Sequence, residues 1–253
     1  MENRIFHNAL LILCAVCFQS CGMIVSWGFG SGYARSTKVT LNKTVELIDS
    51  TGTRSVILIP FVHVGSKEDY EKITYFIDGL KSNGYVTFYE STYIPESLDS
   101  ASFDLLYRKY RRILGSFKEY TKWTNRHDDW IIQSVSMAKE FMHLSTERDI
   151  CADVSLAEFV EHFEEKYGRE VPLDEYDLTC PLTDLSFCRK PLPKSKWPLI
   201  STMGRFRDDR LLESVMNSEY DKIAVLYGGM HTIELEIKLL SRGYHFKYPK
   251  KKH

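Results

Sequence analysis

The stretch from residue 54 to residue 90 constrains the fold most strongly, because it encodes a strand, a helix and a second strand in direct succession. Residues 55–59 are β-branched or apolar after the first serine, without polar alternation, which is typical of a strand covered on both faces. Pro60 cannot donate a backbone hydrogen bond, so the strand is predicted to end there. His63 then lies on the loop beyond the carboxyl end of a buried, central strand.

A helix follows this loop and leads into the next strand. Ser66 and Asp69 have the spacing of a capping box, and Gly84 can adopt the positive φ that ends a helix. Residues 85–89 form an aromatic and β-branched run, and Glu90 stands where that run stops. A right-handed crossover makes the two strands parallel neighbours, so this glutamate and the loop histidine are predicted to share one edge of the sheet.

The same pattern returns near the end of the chain. Residues 222–227 form a second short apolar strand, which runs into Gly228 and then His231. A helix is predicted at 232–242 and a final strand at 244–248. In both places a buried strand stops, the backbone turns, and a histidine stands ahead of a helix. This repetition raises the hypothesis that the chain contains two related β-loop-α halves.

The remaining patterns predict an α/β domain whose mixed central sheet is flanked by helices. A strand within residues 39–49 forms a hairpin with the strand at 55–59, and a short strand is predicted at 149–153. Helices are predicted at residues 102–117, 130–144, 155–167 and 205–220. Residues 171–198 hold five of the eight prolines and are predicted to form an irregular surface excursion or lid.

The N-terminus has the pattern of a targeting segment. An apolar stretch at residues 9–18 leads to Cys21, so residues 1–21 are predicted to be a signal peptide that ends like a bacterial lipobox. Residues 22–36 form a tether, and residues 37–253 form the folded domain. Cys21 is then the lipidated residue. An uncleaved membrane anchor that continues through residues 23–29 is the alternative, and both interpretations place the domain in the cell envelope, facing the periplasm or exterior.

Charge and cysteine content exclude several classes of site. The net charge is −1, which offers no basic surface for nucleic acid. The cysteines show no zinc-site spacing, and an oxidising compartment would allow Cys180 to pair with Cys188 and leave Cys151 free.

Two histidines and one glutamate at strand ends are the strongest candidates for chemistry. His63, Glu90 and His231 offer nitrogen and oxygen ligands suited to a divalent metal such as Zn, Mn or Co, with a fourth position open for water. Bound water becomes a nucleophile for amide or ester hydrolysis. Without a metal, the glutamate and a histidine could act directly as base and acid.

The chain resembles the TraB/GumN group, which is related to the TIKI membrane proteases and more distantly to erythromycin esterases and a haem-binding lipoprotein family. The resemblance spans residues 39–248 and is carried by His63, Glu90, Gln133, Ala152-Asp-Val-Ser155, Arg207-Asp, Gly228 with His231, and Tyr244. Pro60 stands where the family has a glycine. The resemblance implies an envelope hydrolase of peptides or small esters, with Arg207 and Asp208 beside the metal or acid–base set.

Two other interpretations stay open. The same scaffold could be a binding lipoprotein, for example for haem, because fifteen tyrosines offer axial ligands. It could also be an inactive scaffold that holds partners at the membrane, in which case neither histidine matters beyond stability.

Overall fold

The computed structural model describes residues 41, 43–61, 64–94, 97–115, 130–132, 148–182, 184, 189, 192 and 197–248. The predicted signal peptide, tether and lipidated Cys21 lie outside these residues, as do His63, Gln133 and Cys188. Within the part of the chain that is described, no helix is both long and apolar enough to cross a membrane.

The described chain contains eight strands and six helices. The strands are β1 (Val45–Ile48), β2 (Ser55–Phe61), β3 (Val64–Ser66), β4 (Val86–Tyr89), β5 (Trp130–Ile132), β6 (Ile150–Cys151), β7 (Lys222–Gly228) and β8 (His245–Phe246). The helices are α1 (Lys67–Ser82), α2 (Ser100–Leu114), α3 (Leu156–Tyr167), α4 (Glu175–Thr179), α5 (Trp197–Asn217) and α6 (Gly229–Leu240).

Six of these strands form one mixed sheet in the order β6-β4-β7-β2-β1-β8. The pairs β6-β4, β4-β7 and β7-β2 are parallel, while β1 is antiparallel to both β2 and β8. The predicted α/β class with a mixed sheet is therefore confirmed. The prediction that β2 and β4 are neighbours is wrong, because β7 lies between them. They nevertheless run in the same direction, since each pairs in parallel with β7.

Helices cover both faces of the sheet. On one face, α1 packs through Tyr70, Ile73 and Ile77 against the inner residues of β2 and β7. On the other face, α5 and α6 contribute Leu211, Val215, Leu235 and Leu239 to a second core. A third core joins α2, α3 and the amino-terminal half of α5. The central strands are apolar on both faces because helices bury both faces.

Pro60 lies inside β2 and does not end it, which corrects the predicted boundary. The N–H of Ser55 donates to the carbonyl of Asp221, just before β7. Backbone groups of successive residues in a strand point to opposite sides, so the odd-numbered residues of β2 face β7 and the even-numbered ones, including Pro60, face β1. The β1 ladder begins with Val45 opposite Leu58, two residues before Pro60. The missing N–H therefore removes no hydrogen bond from that ladder.

Most helix ends follow the sequence signals, and several predicted boundaries differ. Ser155 and Glu158 form the capping box of α3, and Gly168 ends it with φ 75°. The prediction of a helix at 130–144 is wrong for its first three residues, because Trp130–Ile132 is a strand that pairs with β3. The later helix starts at Trp197 rather than 205.

The described part of the proline-rich segment packs onto α2. Leu192 is buried and donates its N–H to the carbonyl of Ile113. Asp177 is buried in α4, and ion pairs join it to Arg112 and Arg189. Cys180 carries a free thiol, whose Sγ lies 3.4 Å from the carboxylate of Asp184.

Candidate functional site

The carboxyl ends of the parallel strands meet at one edge of the sheet. The register aligns Phe61 of β2 with Gly228 of β7, and Tyr89 of β4 with both Leu226 and Cys151. The residues that directly follow these strand ends are thereby gathered at one edge. Open α/β sheets bind ligands at this edge.

His231 lies in the first turn of α6, because the helix begins at Gly229 and not at 232 as predicted. Its Nδ1 lies 2.6 Å from Oδ1 of Asp208 on α5. Asp208 is buried, and as a carboxylate it accepts the proton on Nδ1. This bond leaves the lone pair of the imidazole on Nε2, the nitrogen that faces the centre of the site.

Arg207 occupies that centre. Its Nε and Nη2 donate to the two carboxylate oxygens of Asp153, at 2.9 and 2.5 Å. Nη2 also donates to Oε1 of Glu90 at 2.7 Å, and Nη1 lies 3.4 Å from Nε2 of His231. One guanidinium thus links residues that are far apart in the sequence, and it joins β4, the segment after β6, α5 and α6.

Glu90 is held at the amino end of α6. Its Oε2 accepts the N–H of Gly228 at 2.6 Å, and its side chain is buried. A Cβ on Gly228 would stand 3.0 Å from that oxygen, which is tighter than ordinary contact. The absence of a side chain at Gly228 therefore allows the carboxylate to reach the backbone N–H, where the helix dipole also favours a negative charge.

Asp153 is a site residue that the sequence analysis named only within a family motif. It follows β6 by two residues and is 3 % exposed, and its Oδ1 also accepts the N–H of Val154. The hydroxyl of Tyr227 donates to the carbonyl of Ala152 and fixes this segment against β7. The available signal was an acidic residue at the end of the short strand predicted at 149–153, which is similar to the signal that identified Glu90.

Carboxylates dominate the charge at this edge. Among the residues described there, Glu90 and Asp153 contact the guanidinium of Arg207, and Asp208 pairs with His231. Burial acts to lower the pKa of Arg207, but Asp153 and Glu90 hold it well above its usual value. Burial, reinforced by Asp153, raises the pKa of Tyr227 well above its usual value.

The structure brings together Glu90, Arg207, Asp208 and His231, while His63 lies outside the described residues. Within the described ranges, no group of three His, Cys, Asp or Glu side chains is arranged to hold a metal ion. Glu90 and His231 both contact the guanidinium of Arg207, which Asp153 fixes on its other side. A metal ion bound by both Glu90 and His231 would have to take the place of the guanidinium. In their present positions these two predicted ligands therefore do not form a metal site.

Comparison of the chain with protein-family models, curated proteins and solved structures finds no match. The resemblance to the TraB/GumN group therefore stays a prediction from sequence motifs.

Proposed function

We propose that this chain is a hydrolase that cleaves ester or amide bonds by direct acid–base catalysis at the carboxyl edge of the sheet. The observation that supports the proposal most strongly is the 2.6 Å bond from His231 Nδ1 to buried Asp208. A carboxylate that accepts from Nδ1 orients the ring and selects the tautomer of the neutral imidazole that carries its lone pair on Nε2, which is the form that a general base needs.

The remaining groups supply the other parts of the reaction. A water placed against His231 Nε2 gives up a proton to that nitrogen as its oxygen bonds to the substrate carbonyl carbon. Arg207 Nη1, 3.4 Å from the same nitrogen, donates to the oxygen on which negative charge develops. The imidazolium then returns the proton to the leaving amine or alcohol, and the carbonyl re-forms as the bond to that group breaks.

Glu90 acts beside this pair as a second acidic group. Its carboxylate contacts both Arg207 and the N–H of Gly228, and it thereby positions the guanidinium beside the amino end of α6. In the metal-dependent version implied by the family resemblance, Glu90, His63 and His231 would bind Zn, Mn or Co. That version requires Arg207 to leave its present position.

The proposal extends to location and substrate class. The lipobox-like Cys21 and the apolar stretch before it support an enzyme anchored in the cell envelope, where peptides or small esters are its substrates.

Purified full-length protein tests the proposal with a panel of p-nitrophenyl esters and blocked fluorogenic peptides. His231→Ala and Asp208→Asn are expected to reduce kcat/KM by about a hundredfold or more. His245→Ala is the matched control, because His245 is exposed on β8, the edge strand at the opposite end of the sheet from β6. The proposal is wrong if His231→Ala hydrolyses every substrate as fast as the wild type. Loss of activity on chelation, with recovery on adding Zn, Mn or Co, would replace direct catalysis by the metal-dependent version.

A further inference from the structure

The contacts of Arg207 determine which substrate groups it can still bind. A guanidinium has five N–H groups and presents two edges that can bind a carboxylate bidentately. The edge formed by Nε and Nη2 is filled by the two oxygens of Asp153. The edge formed by Nη1 and Nη2 is shared between His231 and Glu90.

One N–H of Nη1 then has no partner among the described residues. The contact of Nη1 with His231 is also long, at 3.4 Å, so an incoming oxygen can compete for it. Arg207 therefore offers single hydrogen bonds from Nη1 and no free pair of parallel donors. A carbonyl oxygen needs one such bond, whereas a substrate carboxylate is recognised by a bidentate pair.

The negative charge of the site also disfavours a substrate carboxylate. Asp153 is 3 % exposed and pairs bidentately with Arg207, so this buried pair is already neutral. Glu90 and Asp208 then add negative charge within the same cluster. A substrate carboxylate would meet repulsion here, because charges interact strongly at short range in a partly buried site.

We infer that the site takes internal ester or amide bonds, with no free carboxylate beside the scissile carbonyl, and that Asp153 is the positioning residue that imposes this selection. The inference rests on the proposed hydrolase function. Asp153 acts through Arg207: it fills the bidentate edge and turns Nη1 toward His231.

Two matched pairs of substrates test the selection with the full-length protein. One pair is a blocked dipeptide ending in an amide or in a free carboxylate, and the other is the corresponding depsipeptide pair with an ester at the scissile bond. Wild-type protein is expected to prefer the amide-ended member of the cleaved pair by about tenfold or more in kcat/KM. Equal cleavage, or a preference for the free carboxylate, overturns the inference and leaves the hydrolase proposal standing. No cleavage of any of the four substrates overturns both.

The role of Asp153 has its own test. Asp153→Asn removes a charge and one acceptor. In this variant the ratio of kcat/KM for the amide-ended substrate to kcat/KM for the carboxylate-ended substrate is expected to fall to about threefold or less, and Asp153→Glu is expected to keep part of the wild-type ratio. Asp209→Asn removes an equal charge at an exposed position on the same helix as Arg207, where Asp209 pairs with Lys238, and is expected to keep the wild-type ratio. An unchanged ratio in folded Asp153→Asn overturns the assignment.

Inhibition by the products gives a measurement that does not depend on how the variants fold. The amino acid amide released from the amide-ended dipeptide is expected to inhibit wild-type protein more strongly than the free amino acid released from the other member of the pair, by a similar factor. Stronger inhibition by the free acid overturns the inference.

Discussion

Replacing Gly228 by Ala tests whether the position of Glu90 matters for catalysis. Gly228 has φ −48° and ψ 138°, which alanine adopts without strain. The new methyl group would stand 3.0 Å from Glu90 Oε2 and 3.5 Å from Cδ2 of His231. The substitution therefore acts on the carboxylate through steric contact, and the backbone angles need not change.

The expected size of the effect follows from the bond that is displaced. Glu90 is buried and accepts the N–H of Gly228 at 2.6 Å, and a hydrogen bond to a charged group is worth about 1.5–3 kcal/mol. Alanine is also a poorer N-cap than glycine, which adds a loss of up to about 1 kcal/mol. We expect the free energy of unfolding to fall by about 1.5–4 kcal/mol and kcat to fall about ten- to a hundredfold.

Urea unfolding and steady-state kinetics measure both quantities, and Gly229→Ala is the matched control. A Cβ on Gly229 would meet only Pro60 Cβ, at 3.8 Å, so that variant should keep kcat and gain up to about 1 kcal/mol of stability. A double-mutant cycle with Glu90→Gln isolates the coupling, which should be about 1 kcal/mol or more. Unchanged kcat in Gly228→Ala, or an equal loss in Gly229→Ala, would refute the steric argument.

Two further predictions concern pH and the N-terminus. Burial raises the pKa of both Tyr110 and Tyr227 above the usual value of 10.0. As pH rises through about 10 the unfolded chain loses these protons while the native state keeps them, so unfolding free energy should fall above that pH, and Tyr110→Phe should reduce the slope. A slope that is the same in Tyr110→Phe would contradict this. Cys21→Ala should abolish labelling with palmitate and release the protein from the membrane fraction, whereas a membrane-bound variant would favour the uncleaved anchor.

The sequence predicted the local elements well where a single segment encodes them. The capping box at Ser155, the buried strand before Gly228 and the hairpin between β1 and β2 follow from neighbouring residues, and each is present. Pro60 was misjudged, because its effect depends on which neighbour its missing N–H would face. That neighbour is β1, whose ladder stops at Leu58, two residues before Pro60.

Some features of the candidate site could likewise be predicted from the sequence, and others depend on the tertiary structure. A carboxylate or imidazole at a strand end could be identified from the sequence, because the ends of parallel strands share one edge. The insertion of β7 between β2 and β4, the position of Arg207 between Glu90 and Asp153, and the pairing of His231 with Asp208 could not. These depend on strand order and on the packing of α5 against α6, which are set by contacts between segments far apart in the chain. Such contacts carry no periodicity that one sequence can display.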